Sequence, residues 1–431
     1  MRTLIRDALI VSPGDEKPFQ GWVEIAGGVI ADVGTGRAPT GAGETIDGSN
    51  CALLPGLVNT HAHSHSSLTR GSAEGVALDQ WLGIIEREQS RLTAEQARAG
   101  ALATYAEALL SGTTTMVDMC LQPEAAFTAA RDIGIRAIIA PYVADTKSFT
   151  PTLSDTAALL DKAVKLDDRV RVWVGLHDLE SCSDDQIVAG VALARRHGAG
   201  VHLHCSETHF QIERTRKRTG RTPVAQLAHL GALGPMTLLA HCVWADEADR
   251  EILKANGVSV AHCPHANLKL GSGIAPIADM LRLDINVTAA TDGAKANNRL
   301  DLFDVMKFAS LLQKGALRDP AVLPPRQVLD MATAGGGRAL HAPIGAIKTG
   351  MAADLILVRL DRLHLQPCVP DTVMTNLVHA ARGSDVSLTM VAGKVLVRDG
   401  ELVALPYEPI RRDALAVGKA LIDEVLIDSA V

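Results

Sequence analysis

The segment Asn59-Thr60-His61-Ala62-His63 places two imidazoles two residues apart, directly after the apolar run LLPGLV. In an extended strand such residues point to the same side, so His61 and His63 can grip one ion together. A second segment, His202-Leu203-His204-Cys205-Ser206-Glu207, ends another apolar run in His204 and carries a carboxylate three residues on. From the start of the following loop Glu207 can swing over a water held by the ion without ligating the ion itself. That geometry suits a proton shuttle between water and leaving group. Leu239-Ala240-His241 adds a further histidine. Ala290-Thr291-Asp292-Gly293 adds a carboxylate able to bind the ion and take a proton from the attacking water, with Gly293 suited to a tight turn.

Each piece has a plain alternative. An H-x-H occurs by chance, a histidine at a strand end is usually structural, and Glu207 would serve equally as an exposed residue at a helix start. The series decides against these readings. Seven apolar runs end in His61, Asp118, His177, His204, His241, His262 and Asp292, and histidine is scarce in cores unless its nitrogens find partners. Convergence on a metal explains the pattern at once. No lysine stands near the end of VRVWVGLH, where a carboxylated lysine would bridge two metals, so the site reads as mononuclear.

The elements that must position these groups follow a repeating grammar. From about Gly56 to Leu340, eight apolar runs alternate with amphipathic stretches, several of which end in glycine. Eight strand-like runs match a (β/α)₈ TIM-type barrel, in which the C-terminal strand ends meet at one mouth. A doubly wound open sheet uses similar alternation, and the polar strand ends favour the barrel. The first fifty-odd residues instead alternate short β-like runs with turns, and the same texture returns in AADLILVRLD and SLTMVAGKVLVRDGELV. Neither segment buries a core alone. The expected organisation is a flanking β-sandwich from residues 1–55 plus 345–431, with a C-terminal helix, around an inserted barrel at 56–344.

Composition narrows the setting. The chain has 431 residues, 47% hydrophobic and 3% aromatic, with net charge −7, which gives no support for nucleic-acid or anionic-membrane binding. Seven cysteines without a C-x-x-C pair, and an N-terminus lacking an apolar signal region, point to a cytoplasmic protein with free thiols. No apolar run reaches the roughly 18 residues needed to span a bilayer. The basic run Arg214 to Arg218 reads as a solvated face. Gly335 to Gly337 reads as a helix terminator, since no Lys-Ser/Thr follows to make a phosphate loop.

The assembled motifs LLPGLVNTHAHSH, SGTTTMVDM, HLHCSET, HCPHANLKLGSGIAP, TDGAKANNRLDLF and GRALHAPIGAIKTGMAADLILV run along nearly the whole chain. In this order they resemble the amidohydrolase superfamily, in its cytosine-deaminase-like branch, which includes triazine hydrolases and methylthioadenosine/S-adenosylhomocysteine deaminases. The resemblance implies the barrel and flanking β-sandwich. It also implies one divalent metal, usually Zn²⁺, held by His61, His63, His204 and Asp292; Fe²⁺ or Mn²⁺ would suit the same N/O set. His241 would orient the water, with ligation as its second choice. Glu207 would protonate a ring nitrogen and Asp292 would take the water's proton. The implied reaction releases ammonia from an aminated purine, pyrimidine, pterin or triazine; chloride, alkylamine or amide leaving groups are the alternative on the same site. A non-catalytic binding barrel is disfavoured because it needs no proton shuttle.

For substrate contacts, the resemblance matches His177 to a histidine touching the ring, although Leu176-His177-Asp178-Leu179-Glu180-Ser181 departs from the usual Pro-His-Ala-Pro-Tyr-Thr. Trp81 matches a pocket tryptophan of the nucleoside deaminases. His265, and similarly Lys295, stand at variable positions that reach the substrate. The glutamate that holds a ribose in those enzymes has no clean counterpart: Glu86 and Glu88 lie near, in a segment about one residue shorter. Ala266 and Ala296 stand where the branch often has serine. These departures favour a free base over a nucleoside. An even-numbered homo-oligomer is the expected assembly.

Overall fold

The computed structural model describes residues 2–14, 17–41, 43–76, 78–166 and 168–429. Eight parallel runs follow the expected order: Leu57–Ala62, Thr113–Cys120, Arg136–Pro141, Val170–Val172 continued by Val174–Gly175, Val201–Cys205, Thr237–His241, Ser259–His262 and Asn286–Ala289. These are called the first to eighth barrel strands below. They form two hydrogen-bonded arcs that share the fourth run, where Trp173 N donates to Ile139 O and Val174 N to Gly200 O. The seam between eighth and first strands is sewn differently. Asp292 N donates to His61 O at 3.0 Å. Thr60 Oγ1 meets Thr288 Oγ1 at 2.7 Å, and Asn59 accepts from Thr291 N at 3.1 Å while its amide donates to Thr291 Oγ1 at 2.7 Å.

The intervening helices begin and end where their caps dictate. Thr93 and Gln96 form a capping box ahead of Ala94–Leu110, and Thr208 and Gln211 do the same for His209–Thr219. Gly134, Gly198 and Gly220 close their helices in the left-handed conformation. His209–Thr219 carries the basic run, and Arg214, Arg216 and Arg218 pair with Glu180, Asp246 and Asp184. The glycine triplet departs from its expected role. Gly335, Gly336 and Gly337 lie inside the short helix Ala334–Ala339. A Cβ at Gly336 would stand 2.4 Å from Val58, and one at Gly337 would stand 2.3 Å from Ile344 O, so close packing explains these two glycines better than termination.

Both chain ends join in a nine-stranded sheet, with Leu355–Arg359 pairing antiparallel to Cys51–Pro55 as the stitch between them. One hydrogen-bonded path links eight of the strands, Glu44–Asp47 pairs parallel to Arg2–Ile10 off that path, and Val29 in the edge strand bridges back to Ala352. Ile5, Val23, Ile25, Leu53, Leu355 and Met390 fill its core. Arg136, opening the third barrel strand, makes a two-pronged contact with the buried Asp354, at 2.6 and 3.1 Å, tying sheet to barrel. The helix Tyr407–Ser429 packs on Ala94–Leu110, and a Cβ at Gly418 would meet Leu68 O at 2.4 Å. Among the described residues no helix is long and apolar enough to cross a membrane.

Candidate metal centre

Three histidines at the mouth are wired alike. His63 Nδ1 lies 2.8 Å from Met119 O, and His204 Nδ1 lies 2.7 Å from His177 O. A carbonyl only accepts, so both rings carry their proton on Nδ1 and turn an Nε2 lone pair inward. His61 reaches the same state through a relay. His202 Nδ1 donates to Leu238 O at 2.9 Å, which leaves His202 Nε2 to accept from His61 Nδ1 at 2.8 Å.

The inward atoms then face one another. His63 Nε2 and His204 Nε2 are 3.2 Å apart. Asp292 Oδ1 lies 3.6 Å from His61 Nε2 and 3.4 Å from His63 Nε2. In these tautomers none of the four atoms carries a proton for another, and His61 Nε2 is buried with no hydrogen-bond partner among the described residues. A cation among them resolves the mutual repulsion, so the residues fit a divalent metal. The ligand atoms of His61, His63 and His204 lie within 4.8 Å of one another; His61, His241 and Cys263 satisfy the same distance and share His61. Burial, then the neighbouring imidazoles, push His61 and His204 well below the ordinary histidine range, which keeps them neutral as ligands must be. Burial also lowers His63, opposed by Asp292.

Glu207 and His241 stand beside this cluster. His241 Nδ1 is 2.8 Å from Asn267 Oδ1, and its Nε2 is 3.8 Å from Glu207 Oε2. Burial raises the Glu207 carboxyl above its usual range, against the pull of His241, while Ser272 Oγ donates to it at 3.4 Å. Ser206, His241, Cys242 and Asp292, all at the ends of barrel strands, have φ between 46° and 74°. Such conformations cost roughly 1–3 kcal/mol each and gather where a site demands them. The sharp turn after the eighth strand therefore belongs to Asp292. Gly293 has φ −72°, and it is required because a Cβ would meet Ser66 Oγ at 2.5 Å.

The cluster opens on a cleft whose lining includes Trp81, Glu88, Tyr142, His177, Glu207 and Lys295. His177 lies 4.2 Å from the Tyr142 ring between centroids, with Nδ1 2.7 Å from Ser181 Oγ. Other lining groups are polar in a different manner: Lys295 Nζ meets Glu88 Oε1 at 2.7 Å, and Trp81 Nε1, Gln89 Oε1, His65 Nδ1 and Tyr142 Oη have no partner among the described residues.

His265 does not reach the cleft. Its ring packs 4.3 Å from that of Phe308, 3.8 Å from the Asp304 carboxylate, because its helix turns it toward Leu302–Leu317. Asp118, expected among the reactive strand ends, accepts from Ser64 N at 2.9 Å and Tyr105 Oη at 2.6 Å, and so holds the turn after His63. Sequence reasoning missed His202 and Asn267 as partners of inward-facing rings. The second H-x-H, His202-Leu203-His204, was the available signal for His202.

Comparison with known proteins agrees with this geometry. The family model "Amidohydrolase family" matches residues 52–396. The chain is 38% identical to a 5'-deoxyadenosine deaminase of Methanothermobacter thermautotrophicus over 93% of this chain and 95% of that one. It is 38% identical to a 5-methylthioadenosine/S-adenosylhomocysteine deaminase of Pelotomaculum thermopropionicum, over 91% and 92%. The crystal structure of an adenosine deaminase from Xanthomonas campestris with bound zinc superimposes with a TM-score of 0.93 at 28% identity, covering 98% of both chains. The TIM-barrel architecture, the family model and these relatives lead to one conclusion: the chain belongs to the amidohydrolase family, among the aminohydrolases that act on aminated nitrogen heterocycles.

Proposed function

We propose that this chain deaminates an uncharged adenosine-type nucleoside at the amidine carbon of its purine. The inward-facing set of His61, His63, His204 and Asp292 beside a buried Glu207 carries the reading. In it these four side chains hold one ion, Zn²⁺ by analogy with the zinc-bound relative. When bound, such an ion lowers the pKa of a water toward neutrality and so supplies the nucleophile.

The chain's own residues do the rest. His241, steadied by Asn267, orients the water through Nε2. Asp292 accepts a proton from the water as its oxygen bonds to the amidine carbon. Glu207, whose raised pKa favours holding a proton, delivers one to the adjacent ring nitrogen. The exocyclic carbon–nitrogen bond then breaks: the amine leaves as ammonia with the proton relayed from Asp292, and the proton left on the new hydroxyl returns to Glu207 as the ring carbonyl forms. Trp81 and His177 wall the ring.

The preference for a free base gives way here to a nucleoside. The names of the relatives favour it, and Glu88, unmatched in sequence, lines the cleft. Uncharged substrates are favoured because each Lys or Arg lining the cleft and its outer vestibule is already paired: Lys295 with Glu88, Lys147 with Glu86, and Arg214 with Glu180. The test is ammonia release by the metal-loaded protein from adenosine, 5'-deoxyadenosine, 5'-methylthioadenosine, AMP, adenine, guanine and cytosine. Turnover of the nucleosides, with AMP much slower, supports the reading. Activity on bases alone would restore the free base, and silence throughout would point to another leaving group.

The same reading takes residues 56–344 as the catalytic barrel. Residues 1–55 with 345–431 form a β-sandwich made by one sheet folding over its own core. Seven free thiols support a reducing cytoplasm. An even-numbered homo-oligomer, the commonest state of soluble enzymes, is read directly by sedimentation.

A further inference from the structure

Cys263 follows the seventh barrel strand and is fully buried, and its thiol makes a weak contact, Sγ to Ala261 O at 3.7 Å. A buried thiol usually serves as a small apolar filler. This one is placed differently, because its sulfur, a His61 nitrogen and a His241 nitrogen all lie within 4.8 Å of one another. Cys205 and Cys242, buried at neighbouring strand ends, belong to no such group among the described residues.

Both rings present a free lone pair. His61 donates its Nδ1 proton to His202, and its buried Nε2 has no partner among the described residues. The amide oxygen of Asn267 accepts from His241 Nδ1 at 2.8 Å, so the lone pair of that ring is on Nε2. One ion at a time can use the His61 lone pair. An ion drawn to the sulfur therefore competes with one held by His61, His63, His204 and Asp292. The two sets differ in character. Three imidazoles and a carboxylate oxygen suit borderline and hard divalent ions, whereas two imidazoles and a thiolate suit soft ones. Tetrahedral bonds of roughly 2.0–2.3 Å set donors about 3.5 Å apart, so closure asks for side-chain shifts of about 1 Å or less. A larger soft ion needs smaller shifts still.

We propose that His61, His241 and Cys263 form a second, mutually exclusive metal seat that takes soft cations such as Cd²⁺ and Cu⁺. On binding, the thiol proton leaves to solvent as the sulfur–metal bond forms, and no electrons are exchanged. The His61 lone pair required by the first ligand set is then used, and so is the His241 nitrogen that orients the water. A soft ion in this seat thus displaces the resident metal and stops turnover. The inference rests on the placement of His61 in the first ligand set, and not on which heterocycle is the substrate.

The experiment titrates Cd²⁺ into the zinc-loaded full chain, in a background carrying Cys51→Ser and Cys368→Ser, which removes the two half-buried thiols. Zinc release and the near-ultraviolet thiolate-to-cadmium absorption are followed together. One zinc should leave for each cadmium bound, as the absorption appears. Cys263→Ser should abolish the absorption and raise the cadmium needed for half-release by about tenfold or more. Should the serine variant fail to fold, Cys263→Ala makes the same comparison. Absorption that survives the loss of Cys263, cadmium that binds while zinc stays, or zinc release without absorption would each overturn the proposal. Because no substrate enters, failure of the nucleoside reading leaves a different mark, in the ammonia assay alone.

Discussion

His204 and His262 each close a barrel strand, both are buried, and each belongs to a motif that points toward the mouth. The His177 carbonyl, just beyond the fourth run, fixes His204 at 2.7 Å and leaves its other nitrogen facing His63. Among the described residues both ring nitrogens of His262, on the seventh strand, lack a partner, and burial lowers that ring's pKa to about 3. Position at a strand end is therefore shared by groups with different duties. What separates them is whether a backbone acceptor fixes the tautomer and aims the remaining lone pair.

The sharpest way to break this contrast is His204→Ala. It is expected to lose bound metal and turnover together, and full metal content by elemental analysis would remove His204 from the ligand set. Glu207→Gln comes next: metal stays, while turnover falls by at least about 10²-fold, the typical worth of a general acid–base. Near-normal rates would return Glu207 to the status of a buried bystander. His202→Phe tests the relay, since it removes the acceptor for His61 Nδ1 without touching the mouth; metal affinity should fall about 10–100-fold in a competition titration. An unchanged affinity would show that His61 needs no relay.

The smallest effect belongs to His262→Leu, for which metal content and turnover should stay within about threefold of wild type. Its mark is on acid stability. The unfolded chain takes up a proton at this ring near pH 6.5, the folded one only near 3, so stability falls as pH drops from about 6.5 toward 3. The slope is about 1.4 kcal/mol per pH unit. Thermal unfolding across that window should be less steep in the leucine variant. An identical pH slope would deny that His262 stays neutral when folded.

What could be read in advance follows the same division. The H-x-H pair, the alternation of strand and helix, and the carboxylate after the eighth run all write themselves as residue types at fixed spacings. The tautomer of His204 depends on the carbonyl of His177, and any residue could have supplied that atom, so no sequence signal exists for it. Glu88 was named beside Glu86 without a clean match, and its pairing with Lys295, 207 residues away, has no local signal. His265 misled because a short helix after the seventh strand can aim a side chain outward as easily as inward. Gly336 and Gly337 resembled a terminator, since close packing and chain reversal both call for the smallest residue.

The seam between the eighth and first strands sets an order on biogenesis. Asn59 and Thr291, which lock it, are 232 residues apart, and the same two segments carry His61 and Asp292. A chain emerging from the ribosome presents its first imidazoles long before the carboxylate that joins them exists. In the proposed ligand set, an ion captured early would be gripped by imidazoles alone, open to whichever metal binds such groups most tightly. Completion of the last strand brings Asp292 and the lock in one event, so in the proposed ligand set the hard oxygen donor is the last to arrive.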